Sequence, residues 1–142
     1  MKKVMAFGTF DVVHEGHLHY LREAKKLGDY LIVVVARDRN SFGIKGRRPR
    51  HNEQIRLLGI KIIDFVDEAV LGDKEMRSWE IIQKYRPVAI ALGYDQWKTE
   101  VSLEKELDRL GVHPLIVRIP PFMPEQFKAS RILGGSKQSK TI

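Results

Sequence analysis

A chain of 142 residues, 43% of them hydrophobic, has the length of one domain and enough apolar material for a sizeable core. It has no run of membrane-spanning length, its lack of cysteine excludes disulfides and thiolate metal sites, and its N-terminus runs straight into a strand, so a cytoplasmic chain with no leader and no membrane partner is expected. The 25 lysines and arginines exceed the 18 acidic residues by enough for a net charge of +7, but outside the stretch 45–51 they are spread out, which suits phosphorylated small molecules as well as nucleic acid.

The first apolar run is Val4 to Phe7, broken by Gly8 and Thr9. Phe10, Asp11 and two valines follow, then the cluster His14-Glu15-Gly16-His17. Leu18, Leu21, Ala24 and Leu27 then recur at spacings of three, the pattern of a helix. Strand, small-residue turn and helix start put free backbone N–H groups and the positive end of a helix dipole at one point, which suits a phosphate. Two histidines three residues apart lie on one side of that point. The chain has neither GxxxxGK[ST] nor GxGxxG, so this is neither a Walker loop nor a dinucleotide fingerprint.

A second strand is expected from Tyr30 to Ala36, apolar on both faces as a central parallel strand should be. Residues 37–52 lose all periodicity and hold two glycines, a proline and seven lysines, arginines and histidines. Following the C-terminal end of a central strand, they read as a basic lid over a triphosphate, or else as a solvated loop. A helix is expected from Glu53 to about Ile63 with Ile55, Leu58, Ile62 and Ile63 as its buried stripe, then a third strand in residues 65–72. The pattern continues with a helix from Asp73 to Tyr85 turning Trp79, Ile81 and Ile82 inward, a fourth strand over residues 88–93, a helix from Glu100 to Leu110 stopped by Gly111, and a fifth strand over residues 113–119. One helical turn is expected at 129–133, and the polar end from Gly134 reads as a flexible tail, leaving 1–133 as the domain. Five strands alternating with helices make an α/β fold: a single doubly wound, Rossmann-like domain with a five-stranded parallel sheet.

The string GTFDVVHEGH resembles the nucleotidylyltransferase superfamily, whose H-x-G-H motif follows a G-x-F-D strand end. The resemblance implies strand order 3-2-1-4-5 and a site at the switch between strands one and four. It implies that His14 and His17, with nearby amides, hold the phosphates of a nucleoside triphosphate, and that Glu15 and Gly16 complete the motif. Gly8 lets the backbone approach the nucleotide, which Thr9 and Phe10 touch through their main chain; Phe10 as plain core is the other reading. Asp11 reads as a cap for the loop or helix. Glu15 is expected to face solvent, a metal or Lys45. Lys45 matches a lysine that reaches the phosphates in relatives, with Arg47 and Arg48 as alternatives. Arg56 matches an arginine that relatives carry three residues after a glutamate, here Glu53, and is read either as catalytic or as a helix salt bridge with that glutamate. Asp95, in LGYDQ, is implied at the ribose or base, and Trp97 beside it stacks on a ring or packs. Phe122 is a candidate wall for the base. Ser130 matches the later hydroxyl of a Ser/Thr-rich motif in the cytidylyltransferases, the rest of which is not kept.

VVARD, KGRRP, FVDEAVLG, LGYDQ, LEKEL and IVRI extend the likeness to the archaeal FAD synthases over residues 2 to about 119, although this chain lacks their C-terminal cysteines. That resemblance implies transfer of AMP from ATP to FMN, a requirement for Mg2+ or another divalent cation, and a homodimer. The alternatives are a glycerol-3-phosphate cytidylyltransferase or another small-molecule nucleotidylyltransferase on the same scaffold. From another class comes a basic nucleic-acid-binding module using Lys45 to His51; no nucleic-acid partner is expected.

Overall fold

The computed structural model describes residues 1–40, 49–75 and 78–122. The readings made for Lys45, Arg47, Arg48, Ser130, the turn at 129–133 and the tail lie outside them. Five strands, β1 (Lys3–Gly8), β2 (Tyr30–Val35), β3 (Glu68–Leu71), β4 (Ala89–Gly93) and β5 (Leu115–Ile119), alternate with helices α1 (Glu15–Lys25), α2 (Glu53–Lys61), α3 (Glu80–Tyr85) and α4 (Trp97–Leu110). All neighbouring strands are parallel, and the order is β3-β2-β1-β4-β5. The doubly wound parallel sheet expected from the alternation is therefore present.

Each central strand sends alternate residues to opposite faces. Val4, Ala6, Val33, Ala89 and Ala91 meet Leu21 and Ala24 of α1 and Ile60 of α2. Met5, Ile32, Val34, Ile90 and Leu92 meet Ile82 of α3 and Leu103 of α4. Three alanines from the sheet lie under α1, so that face offers a shallow seat. Each large aliphatic side chain removed from water in these layers contributes about 1.5–3 kcal/mol.

Three expectations are corrected. Most of the expected stripe of α2 faces solvent: Ile55, Leu58 and Ile62 are 50%, 60% and 79% exposed, Ile63 packs on the core as expected, and Arg56 and Ile60 are buried. The demand that turns the helix is polar, because Arg56 binds strand-end carbonyls that nothing apolar could satisfy. The helix expected from Asp73 begins only at Glu80. Trp79 before it sits at φ 60, a left-handed conformation that no helix interior tolerates, and Asp73 accepts from the amide of Ile81 at 3.2 Å instead of starting the helix. In the opposite direction, α4 starts at Trp97, three residues before Glu100. Gly111 stops it at φ 71, as its lack of a Cβ allows.

Candidate active site

Strand β1 pairs with β2 along its whole length, up to Gly8 opposite Val35, but with β4 only from Val4 to Ala6. Beyond Ala6 the two strands part, since β4 goes on to pair with β5 while β1 stays with β2. A cleft of about 1230 Å³ opens there, at the carboxyl ends of the strands. Single-ligand pockets run roughly from 300 to 1,000 Å³, so this cleft lies above that range.

The turn after β1 is tightly built. Phe10 has φ 55, rare for so bulky a residue, and is 4% exposed. Its ring folds back so closely that a Cβ on Gly8 would lie 2.7 Å from it, so Gly8 must be glycine. Phe10 packs in the core cluster, one of its two readings, and it also lines the cleft, with its ring edge-on to His17 at 5.4 Å.

His14 is the N-cap of α1. Its Nδ1 accepts from the amide of Gly16 at 3.0 Å, and the amide of His14 donates to Nδ1 of His17 at 3.3 Å. The two imidazoles therefore form a reciprocal capping box and stack at 3.9 Å between centroids. Each accepts at Nδ1, which leaves the ring proton on Nε2, at the edge away from the helix. Gly16 is dictated by the same geometry, because a Cβ there would lie 2.9 Å from Cε1 of His14. Glu15 is exposed in the first turn.

Arg56 does not line the cleft and does not pair with Glu53. It is 2% exposed and donates to Thr9 O and Ala36 O, both at 2.8 Å, to His51 O at 3.0 Å and to the carboxylate of Asp38 at 2.7 Å. Glu53 instead lies 3.8 Å from Arg37 and accepts from the amide of Asp38. Both readings of Arg56, catalytic and salt-bridging with Glu53, give way to a brace that ties the ends of β1 and β2 to α2. A guanidinium has donors in several directions, which is what three carbonyls and a carboxylate require.

Asp11 does not cap α1. Its carboxylate accepts from the amides of Arg50 at 2.7 Å and His51 at 2.9 Å, and the His51 ring lies 3.3 Å away. Burial alone would raise its pKa, but the two amides and the His51 ring outweigh it and hold the carboxyl below its ordinary value. A carboxyl whose folded pKa is depressed stabilises above its unfolded pKa and loses that contribution as pH falls through the folded one. We therefore expect Asp11→Asn to lower the melting temperature clearly at pH 7, and by progressively less as the pH falls below the ordinary carboxylate range. Melting curves of both proteins across that range test this; an equal loss at every pH would show that the carboxylate charge is not what holds residues 50 and 51.

The other side of the cleft comes from the turn after β4. Asp95 lines it, with Tyr94 and Trp97, which are 58% and 54% exposed. Phe122 closes that end, its ring 5.5 Å from His19. His14, His17, Gly8, Thr9, Phe10, Asp95 and Phe122, singled out in the sequence, thus meet around one cleft. Sequence reasoning missed Tyr20 and Gln96, which span the gap between β1 and β4. Tyr20 sits one turn after His17 yet breaks the run of small and aliphatic residues at Leu18, Leu21 and Ala24, and that was its only signal.

Two imidazoles and a helix start on a cleft at the carboxyl ends of parallel strands are features that transfer of a phosphate-linked group, as in nucleotidyltransferases, can use. The profile of the cytidylyltransferase-like family matches residues 5–133. The FAD synthase of Ferroglobus placidus is 48% identical over 120 residues, covering 84% of this chain and 76% of that one. The FAD synthase of Picrophilus torridus is 40% identical, covering 92% of each. The crystal structure of a protein from Thermoplasma volcanium, described as a lipopolysaccharide core biosynthesis protein, superposes with a TM-score of 0.81 at 42% identity, covering 87% of this chain and 99% of that one. The chain belongs to the cytidylyltransferase-like family, among its archaeal FAD synthases. No helix among the described residues is long and apolar enough to cross a membrane.

Proposed function

We propose that this chain transfers AMP from ATP to the phosphate of FMN, giving FAD and pyrophosphate. The observation that carries this is the stacked imidazole pair at the start of α1, set on the cleft in a chain whose relatives are FAD synthases. A phosphate oxygen of FMN attacks the α-phosphorus of ATP in line. The new P–O bond forms as the bond to the β-phosphate oxygen breaks, and pyrophosphate leaves with the electron pair. Charge grows on the transferring phosphoryl oxygens, and the Nε2 protons of His14 and His17 donate to them. The main chain of Gly8, Thr9 and Phe10 lies along the nucleotide, with Asp95 at the ribose or base. Lys45 and Ser130, from segments outside the described residues, complete the contacts. Trp97 and Phe122 offer ring faces to the flat groups that both substrates carry. The active species is a pair of identical chains, for which the uncharged stripe Ile55, Leu58 and Ile62 offers a surface.

Among the described residues no three His, Asp or Glu could jointly hold a metal. Mg2+ typically binds through substrate phosphates, water and one or two carboxylates rather than a protein cage. Asp11, three residues before His14 in the same cleft, is the carboxylate that would take part. When bound, the ion offsets phosphate charge.

ATP and FMN with Mg2+ should yield FAD and pyrophosphate, separable by chromatography, and CTP with glycerol 3-phosphate should yield almost nothing. CDP-glycerol as the only product would overturn the acceptor assignment and leave nucleotidyl transfer standing. No product from any triphosphate and acceptor would overturn the enzymatic reading.

A further inference from the structure

We propose that the hydroxyl of Tyr20 is a positioning group that sets the aim of His14 and His17 by fastening α1 across the gap between β1 and β4. The proposal rests on the nucleotidyl-transfer reading above. Where the two strands part, the last paired residues are Ala6 and Ala91. The next residue of β1, Phe7, lies beyond that paired stretch. Tyr20 links it to β4. Its hydroxyl oxygen accepts from the amide of Phe7 at 3.1 Å and donates to the carbonyl of Ala91 at 2.6 Å, with the carbonyl of Phe7 at 3.3 Å. One oxygen thus joins the strands beyond their last paired residues and holds them at a fixed separation.

Gln96 crosses the same gap from the other side. Its Nε2 donates to Phe7 O at 3.3 Å, and its Oε1 accepts from the amide of Gly93 at 2.6 Å. The gap is therefore braced at its root by two side chains, one from α1 and one from the residue that starts α4. Tyr20 lies three residues after His17, one turn further along the same side of α1. What holds Tyr20 holds the helix start and, through the capping box, both imidazoles. Burial pushes the Tyr20 hydroxyl above its ordinary pKa, so it remains a donor throughout the working range of the enzyme. A group that fixes alignment acts on the transition state more than on binding, since small displacements of the reacting atoms cost rate steeply.

The test is Tyr20→Phe, which keeps the ring and removes only the oxygen. At a temperature well below the melting point of both proteins, kcat for FAD formation should fall by at least about tenfold, while KM for ATP and for FMN changes by less than about threefold. The imidazole proton resonances of His14 and His17, assigned by single substitutions, should shift in the ATP-bound variant relative to the ATP-bound wild type. Unchanged kcat with unmoved imidazole resonances in the folded variant would overturn the proposal. So would a raised KM at constant kcat, which would assign the hydroxyl to substrate binding. If the wild type makes no FAD, the reading of the reaction falls, and the imidazole resonances with ATP alone still decide whether Tyr20 aims the histidines.

Discussion

His17→Ala should lower kcat by at least roughly a hundredfold, the usual consequence of removing one donor aimed at transition-state charge. The protein should stay folded. The ring sits at the cleft, where its Nδ1 accepts from the amide of His14 at 3.3 Å and its face meets the rings of His14 and Phe10. Losing a capping contact of this kind costs about 0.5–2 kcal/mol, a few degrees of melting temperature for a domain of this size. The effect on rate should therefore far exceed the effect on stability. Melting curves and kcat measured on one preparation separate the two, and near-normal turnover in a folded variant would remove His17 from the mechanism.

Arg56→Ala should do the opposite and strike stability first. The substitution leaves the carbonyls of Thr9, Ala36 and His51 and the Asp38 carboxylate without the donor they share. The Asp38 side chain is 46% exposed, so water can replace its lost partner, but each buried carbonyl left unsatisfied costs about 1–3 kcal/mol. The melting temperature should fall by roughly ten degrees or more. Arg56→Lys should recover little, because an ammonium cannot reproduce the spread of a planar guanidinium. Activity should fall as a consequence, since Thr9 belongs to the turn that Arg56 holds in place. A variant that melts within a few degrees of the wild type but turns over a hundredfold more slowly would return Arg56 to the catalytic group.

The two substitutions differ because the residues entered the reading differently. His14 and His17 were legible because their chemistry is local. The motif lies within four consecutive residues, the helix start follows at once, and the rings cap the very turn they flank. Arg56 was legible as important and misread as to why. Its partners Thr9 and Ala36 come from two other strand ends, far away in the chain, and no spacing within α2 announces them.

The sequence by itself determined the alternation of strands and helices, because apolar periodicity is a property of neighbours along the chain. It also determined the phosphate-suited turn at Gly8 to His17 and the stop at Gly111. The buried stripe of α2, the late start of α3 and the early start of α4 were decided elsewhere. An amphipathic pattern ranks faces by hydropathy, whereas α2 is oriented by a cation that must reach three carbonyls and a carboxylate. Trp79 takes a left-handed backbone that local propensity disfavours, and its buried ring meets Phe7 edge-on at 5.9 Å. The parting of β1 from β4, and the hydroxyl of Tyr20 that bridges it, exist only once two strands more than eighty residues apart are laid side by side. Hydrogen-bond partners supplied by distant strands are a tertiary fact, and this site is built largely from them.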